Sequence, residues 1–211
     1  MSAFKGWTAA ALEFFEGLEA DNSKTYWQEH KATYDTKVRA PMDALLAELA
    51  GDFGPGKVFR PYRDVRFSKD KSPYKTNIAA TVEDGGYISL SADGLGAGCG
   101  YYVMSTDQLA RYRAAVDDEA TGPELERLIA AAKKKGIEVT GHDELKTAPK
   151  GYAKDHPRIA LLKYKGLITW RSWPPAAWLG TAKAKDRIVT FFNDSRPVVG
   201  WLDAHVGPAE A

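Results

Sequence analysis

Four glycines recur at every second position, Gly94, Gly96, Gly98 and Gly100. Side chains along a strand alternate between its faces, so a strand here carries one bare face. A helix or an aromatic ring can pack there, or a ligand can approach the backbone; packing is the favoured reading. Ala92-Asp93-Gly94 is a turn signal, so 86–91 and 96–104 read as partner strands, with another strand over 78–83. The glycines do not make a dinucleotide fingerprint. G-x-G-x-x-G spacing fails at Cys99 or Tyr101, and the Lys-Ser/Thr ending of a phosphate loop is absent.

Helical periodicity occupies both sides of this strand region. Trp7, Ala11, Phe14, Phe15 and Leu18 share a face over 8–20, with Thr8 as cap. Ser23 can cap a second helix with Trp27, Tyr34 and Val38 inward, and Pro41 breaks or kinks it and starts a third over 41–50. Residues 57–67 read as an extended edge segment containing Pro61, and 68–77 as a loop. Helices follow over 106–118, with Leu109, Tyr112 and Val116 inward, and over about 123–135, ended by Gly136. A short helix over 158–164, a strand over 166–172, a helix over 182–192 capped by Thr181 and a last one capped by Ser195 complete the chain. Helices, then strands, then helices imply an α+β fold: one domain over 1–211, with a largely antiparallel sheet packed by N-terminal and C-terminal helices.

Composition excludes several classes. With 44% apolar and 27% charged residues the chain is not disordered. One cysteine makes no internal disulfide, so nothing demands an oxidising compartment. There is no long apolar run for a membrane span, and the N-terminus lacks the pattern of a signal peptide. A soluble, cytoplasmic protein is the expectation, with no membrane partner, no cofactor and an oligomeric state left open. The net charge of +1 disfavours a globally basic nucleic-acid binder.

The balanced total hides an uneven distribution. Residues 1–56 are net −4, 77–211 are neutral, and 57–76 hold seven basic and two acidic residues, net +5. Clustered fixed charge attracts anions. Within this segment Arg63, Arg66, Ser68, Lys69, Lys71 and Lys75 are the candidate ligand-binding residues, and Asp64 and Tyr74 the candidates for proton transfer. If 58–67 is extended, Arg60, Tyr62, Asp64 and Arg66 share a face, and Arg66 is left free for an external carboxylate or phosphate.

Other features read as structural. Cys99 lacks a local base, and His30, His142, His156 and His205 are scattered without metal-ligand spacing, so no metal site is expected. Asp64 and Asp70 could hold magnesium beside a phosphate, but their basic neighbours favour salt bridges. Trp170, Trp173 and Trp178 favour packing over a sugar or base pocket.

The stretch Arg63-Asp64-Val65-Arg66-Phe67-Ser68-Lys69-Asp70-Lys71-Ser72-Pro73-Tyr74-Lys75-Thr76 closely resembles the signature of an uncharacterised bacterial and fungal family, domain of unknown function 2461. Asn22 to Trp27 with Tyr34, Gly98 to Tyr102, the pair Arg111 and Arg113, Gly151-Tyr152 and His156-Pro157 resemble further elements of that family in order. The resemblance implies a single-domain protein and carries no activity, substrate or catalytic residue.

Three functions fit these residues. The first is a site on 57–77 for a small phosphorylated or carboxylated ligand, with or without catalysis. The second is a structural or protein-interaction module in which the Arg/Lys–Asp motif is a salt-bridge clamp. Nucleic-acid binding ranks last, because the basic segment is short.

Overall fold

Burial of the stripe Ala11, Phe14, Phe15 and Leu18 organises the first helix of the computed structural model, which describes residues 3–210. This helix, α1, covers Ala9–Ala20; Thr8 stands at its N-cap position, but its side chain makes no capping bond. Ser23 does cap α2 (Lys24–Thr33), accepting from the Tyr26 N–H. Pro41 does not break the chain away. A π-helical turn over Tyr34–Arg39 leads without a break into α3 (Ala40–Phe53), the Ala40 N–H bonding back to the Asp35 carbonyl, so Pro41 lies inside a continuous helical run and forgoes one backbone hydrogen bond there.

Six strands follow the order β1-β2-β3-β4-β6-β5, namely β1 (Gly56–Val58), β2 (Asn77–Val82), β3 (Gly86–Ser91), β4 (Gly94–Tyr101), β5 (Glu138–Thr140) and β6 (Leu167–Trp173). β1 and β2, β2 and β3, and β5 and β6 pair antiparallel, so the fold is α+β with an antiparallel sheet. The chain divides into two compact units. One holds the residues up to Ala97 with Ser172–Thr190, the other Gly98–Arg171 with the residues from Phe191 onward.

In the first unit α3 packs on β1 and β2, and α1 on β3. Ile78, Ala80, Ile88 and Leu90 on the strands and Leu18, Val38, Met42, Leu45 and Leu49 on the helices are almost fully buried. Burying such side chains stabilises by roughly 1.5–3 kcal/mol each. In the second unit α4 (Thr106–Asp117) begins with a capping box between Ser105 and Gln108 and packs on α5 (Thr121–Lys134) and α6 (Ile159–Lys163). Tyr112 and Val116 are buried as expected, but the half-buried Leu109 yields its place to Gln108. The Gln108 amide is satisfied there by the Gly207 carbonyl at 2.8 Å.

Two expectations are corrected. The extended segment over 57–67 shrinks to β1; beyond it the Phe59 N–H still donates to the Ala79 carbonyl at 2.8 Å, and Tyr62 forms an isolated bridge with Tyr74. Pro61 and Pro73 have no N–H to donate, and Asp64 and Asp70 draw the N–H groups of Arg66 and Ser72 into local turns. Arg60, Tyr62, Asp64 and Arg66 therefore do not share a strand face. The two C-terminal helices are one, α7 (Lys183–His205), with Pro197 inside it. The stripe Ile188, Phe191, Phe192, Ser195, Val198, Trp201 and Leu202 is buried continuously, and that burial outweighs the backbone hydrogen bond the proline forgoes.

The bare face of the glycine strand is packed. A Cβ at Gly98 would lie 2.8 Å from the Trp170 ring, so that indole occupies the glycine side as an aromatic lid. Cys99 is buried, and desolvation pushes its thiol up to about 12, so it is protonated and inert at neutral pH. Among the described residues no group of His, Cys, Asp or Glu is arranged to hold a metal, and no helix is long and apolar enough to cross a membrane.

Candidate functional site

The basic segment is a loop closed at its neck. The Arg63 N–H donates to the Pro73 carbonyl at 2.9 Å, and the Lys75 N–H to that of Pro61 at 2.8 Å. Asn22, in the break between α1 and α2, grips the returning strand of the loop. Its Oδ1 accepts from the Tyr74 N–H, and its Nδ2 donates to the Tyr74 carbonyl, both at 3.0 Å. The Tyr74 ring stacks on Trp27 of α2, centroids 4.3 Å apart and planes 7° from parallel. Tyr62 leans on both rings from the exposed side. Polar bonds thus hold the loop's backbone while an aromatic floor holds its side chain.

Charges inside the loop largely satisfy one another. Arg66 forks onto Asp64, with Nε at 3.0 Å from Oδ1 and Nη2 at 2.7 Å from Oδ2. Arg63 pairs with Asp70, which also accepts from the Ser72 hydroxyl at 2.6 Å and its N–H at 2.9 Å. Lys71 donates to the Val65 carbonyl at 2.9 Å. These bonds hold the Asp64 carboxyl below its usual range, chiefly through Arg66, and Asp70 well below it, chiefly through the Ser72 hydroxyl and then Arg63. Burial pushes the Tyr74 phenol up. At neutral pH Asp64 is accordingly an acceptor and Tyr74 a donor. Arg66, read from the alternation as free, is engaged by its own neighbour two positions away.

Beside this loop lies a concavity of about 500 Å³, in the size range of small-molecule sites. Its lining falls into two groups. Arg63, Asp64, Asp70, Ser72, Asn22 and Tyr74 are the scaffold just described. Glu19 from the last turn of α1, Lys75, Thr76 and Asn77 complete the wall. No side chain of this second group hydrogen-bonds or ion-pairs with a described residue; Lys75 only rests over the Phe59 ring, 5.5 Å from its centroid. An ammonium, a hydroxyl, a carboxamide and a carboxylate therefore face the same space with their hydrogen-bonding capacity unspent.

The structure brings together Arg63, Asp64, Tyr74 and Lys75 of the expected residues. Arg66, Ser68, Lys69 and Lys71 lie outside this lining, toward the loop's tip, where Phe67 is 96% exposed and the Arg66 guanidinium sits 5.9 Å from its ring centroid. Glu19 and Asn77 were not foreseen. Glu19 looks in sequence like any other acid on a solvated helix face, and Asn77 like the ordinary start of a strand.

In the second unit the His156 and Arg158 region is structural. The His156 Nδ1 accepts from the Arg158 N–H and its Nε2 meets Asp117, each at 3.0 Å, so neither ring nitrogen is spare. Arg158, 6% exposed, caps α4 by donating to the Val116 and Asp117 carbonyls at 2.6 and 2.8 Å.

A family model described as a conserved hypothetical protein (DUF2461) matches residues 10–201. No curated protein matches the chain. Among solved structures, a conserved hypothetical protein from Pyrococcus furiosus is 12% identical with a TM-score of 0.40, the similarity covering 81% of this chain and 98% of that one.

Proposed function

We propose that this chain, which belongs to the family of conserved hypothetical proteins DUF2461, binds a small phosphorylated or carboxylated molecule in the concavity beside Lys75. One observation carries the reading: the side chains of Lys75, Thr76 and Asn77 line that space with no hydrogen-bond or ion-pair partner among the described residues, while the loop's aspartates are already matched by its arginines. An unpaired ammonium among neutral donors suits an oxyanion. Arg63 spends only Nη1 on Asp70, so the rest of its guanidinium can also reach a ligand. Asp64 and Tyr74, acceptor and donor beside the same space, are the groups through which a proton would move if the bound molecule is a substrate. At the loop's tip Lys69 and Lys71 then add only a positive field, while Ser68 carries no charge and Arg66 is offset by Asp64.

The test is thermal melting against phosphorylated and carboxylated metabolites at fixed ionic strength, on wild type and Lys75→Gln. A ligand at a hundred times its dissociation constant adds about 2.7 kcal/mol of stability, a visible rise in Tm. That rise should vanish in Lys75→Gln. If no anion moves the wild-type Tm, the reading is wrong.

A second reading, a protein-docking module, has its own observation in Phe67, whose exposure is rare for a large apolar side chain. The ion pairs behind it would serve to hold the tip in shape. On that reading small anions leave the Tm unmoved, and Phe67→Ser abolishes cross-linking to a protein partner without lowering Tm.

A further inference from the structure

The anion reading leaves one residue unexplained. Glu19 sets a carboxylate in the wall of the same concavity as Lys75, and it has no hydrogen-bond or ion-pair partner among the described residues. A ligand that is only an oxyanion would be repelled by it. Glu19 and Lys75 do not form an ion pair with each other. The wall thus presents two opposite charges, neither spent on a partner among the described residues.

From this the geometry points to a bifunctional ligand. We infer that the site takes a small zwitterion whose phosphate or carboxylate lies against Lys75 and whose ammonium lies against Glu19. This inference rests on the anion reading and narrows it. Asp64 and Asp70 do not compete for the ammonium, because Arg66 and Arg63 already hold them. Thr76 and Asn77 add donors and acceptors that either end can use. Glu19 acts on specificity as well as affinity: it attracts amino-bearing oxyanions and turns away anions that lack the amine.

The experiment is calorimetric titration with aminoethyl phosphate, ethyl phosphate and ethylamine, paralleled by β-alanine and propionate. Wild type, Glu19→Gln and Lys75→Gln are compared. Glu19 is exposed on α1, so its amide variant leaves the core untouched. Wild type should bind one of the amino-bearing oxyanions about tenfold more tightly than its partner without the amine. Glu19→Gln should erase that preference, weakening the zwitterion and strengthening the simple anion. Lys75→Gln should weaken both. Equal wild-type affinity within each pair, or a preference that survives Glu19→Gln, overturns the zwitterion inference and leaves the anion reading standing. If none of the probes binds and the broader anion panel also leaves Tm unmoved, both fall.

Discussion

Tyr74 lies flat against Trp27, ring centroids 4.3 Å apart and planes within 7°, while its backbone is gripped on both sides by Asn22. This contact joins the charged loop to the helical part of the first unit. A loop with this much like charge would otherwise spread into solvent. The stack and the paired amide bonds instead hold its neck beside the concavity, where Lys75 and Thr76 follow directly in the chain.

Removing the ring should therefore cost both stability and site geometry. Tyr74 is 5% exposed, and Tyr74→Ala deletes a buried aromatic, a loss of about 3 kcal/mol or more. Denaturant unfolding followed by Trp emission measures it. Tyr74→Phe keeps the stack, and the phenol makes no hydrogen bond with a described residue, so its effect should stay within about 0.5 kcal/mol. A large loss in Tyr74→Phe would show that the hydroxyl holds structure.

Asn22 should be intolerant of change for a different reason. Asn22→Ala leaves the Tyr74 N–H and carbonyl without their partners, a cost of about 2 kcal/mol. Asn22→Asp keeps the acceptor and loses the donor, so it should fall between wild type and Ala. Unfolding free energies of the three proteins give the order directly, and limited proteolysis should cut Asn22→Ala first within 62–74.

The parts of this fold that could be read from sequence are those where one local rule acts alone. Ser23 caps α2 because a serine oxygen satisfies an orphan N–H wherever the pattern starts. The period-two glycines demand something flat on their bare side, and Trp170 supplies it. Reading fails where rules compete. Over 57–67 the alternation suggested a strand, but Pro61 and the Asp64 Asx turn remove ladder donors there. At Pro197 the local rule says stop, and a buried stripe running through Ser195 overrides it.

The candidate site shows the same division. Its charge was visible as a net +5 segment, and Arg63, Asp64, Tyr74 and Lys75 do line the concavity. Glu19 and Asn22 were not visible as part of the wall, because they come from elsewhere in the chain. Asn22 and Tyr74 are 52 positions apart, and nothing local to Glu19 marks it as lining the same concavity as Lys75.

Acid should loosen the loop only at low pH. Asp70 has its carboxyl well below the ordinary 3.8 through Ser72 and Arg63. A depressed folded pKa contributes stability that is present above the unfolded value and is lost as pH falls toward the folded one. The loop should accordingly stay closed at about pH 5 and open toward about pH 2, seen as faster proteolysis within 62–74. Asp70→Asn should lose the closed state at neutral pH and flatten that dependence; an unchanged acid profile would detach the loop's order from this carboxylate.

Two glycines separate backbone strain from steric clash. Gly85, in the β2–β3 turn, has φ +80°, but a Cβ there meets nothing, so Gly85→Ala should cost only the strain of a left-handed residue, about 1 kcal/mol. Gly100, late in the glycine strand, has φ +116°, and its Cβ would lie 2.5 Å from the Leu167 carbonyl oxygen. That neighbour is backbone and cannot rotate away, so strain and overpacking combine. Gly100→Ala should cost about 3 kcal/mol or more, enough to lower Tm by many degrees. Equal melting points for the two variants would mean that β4 and β6 shift to admit the methyl group, and that the close approach at Gly100 is not what requires a glycine there.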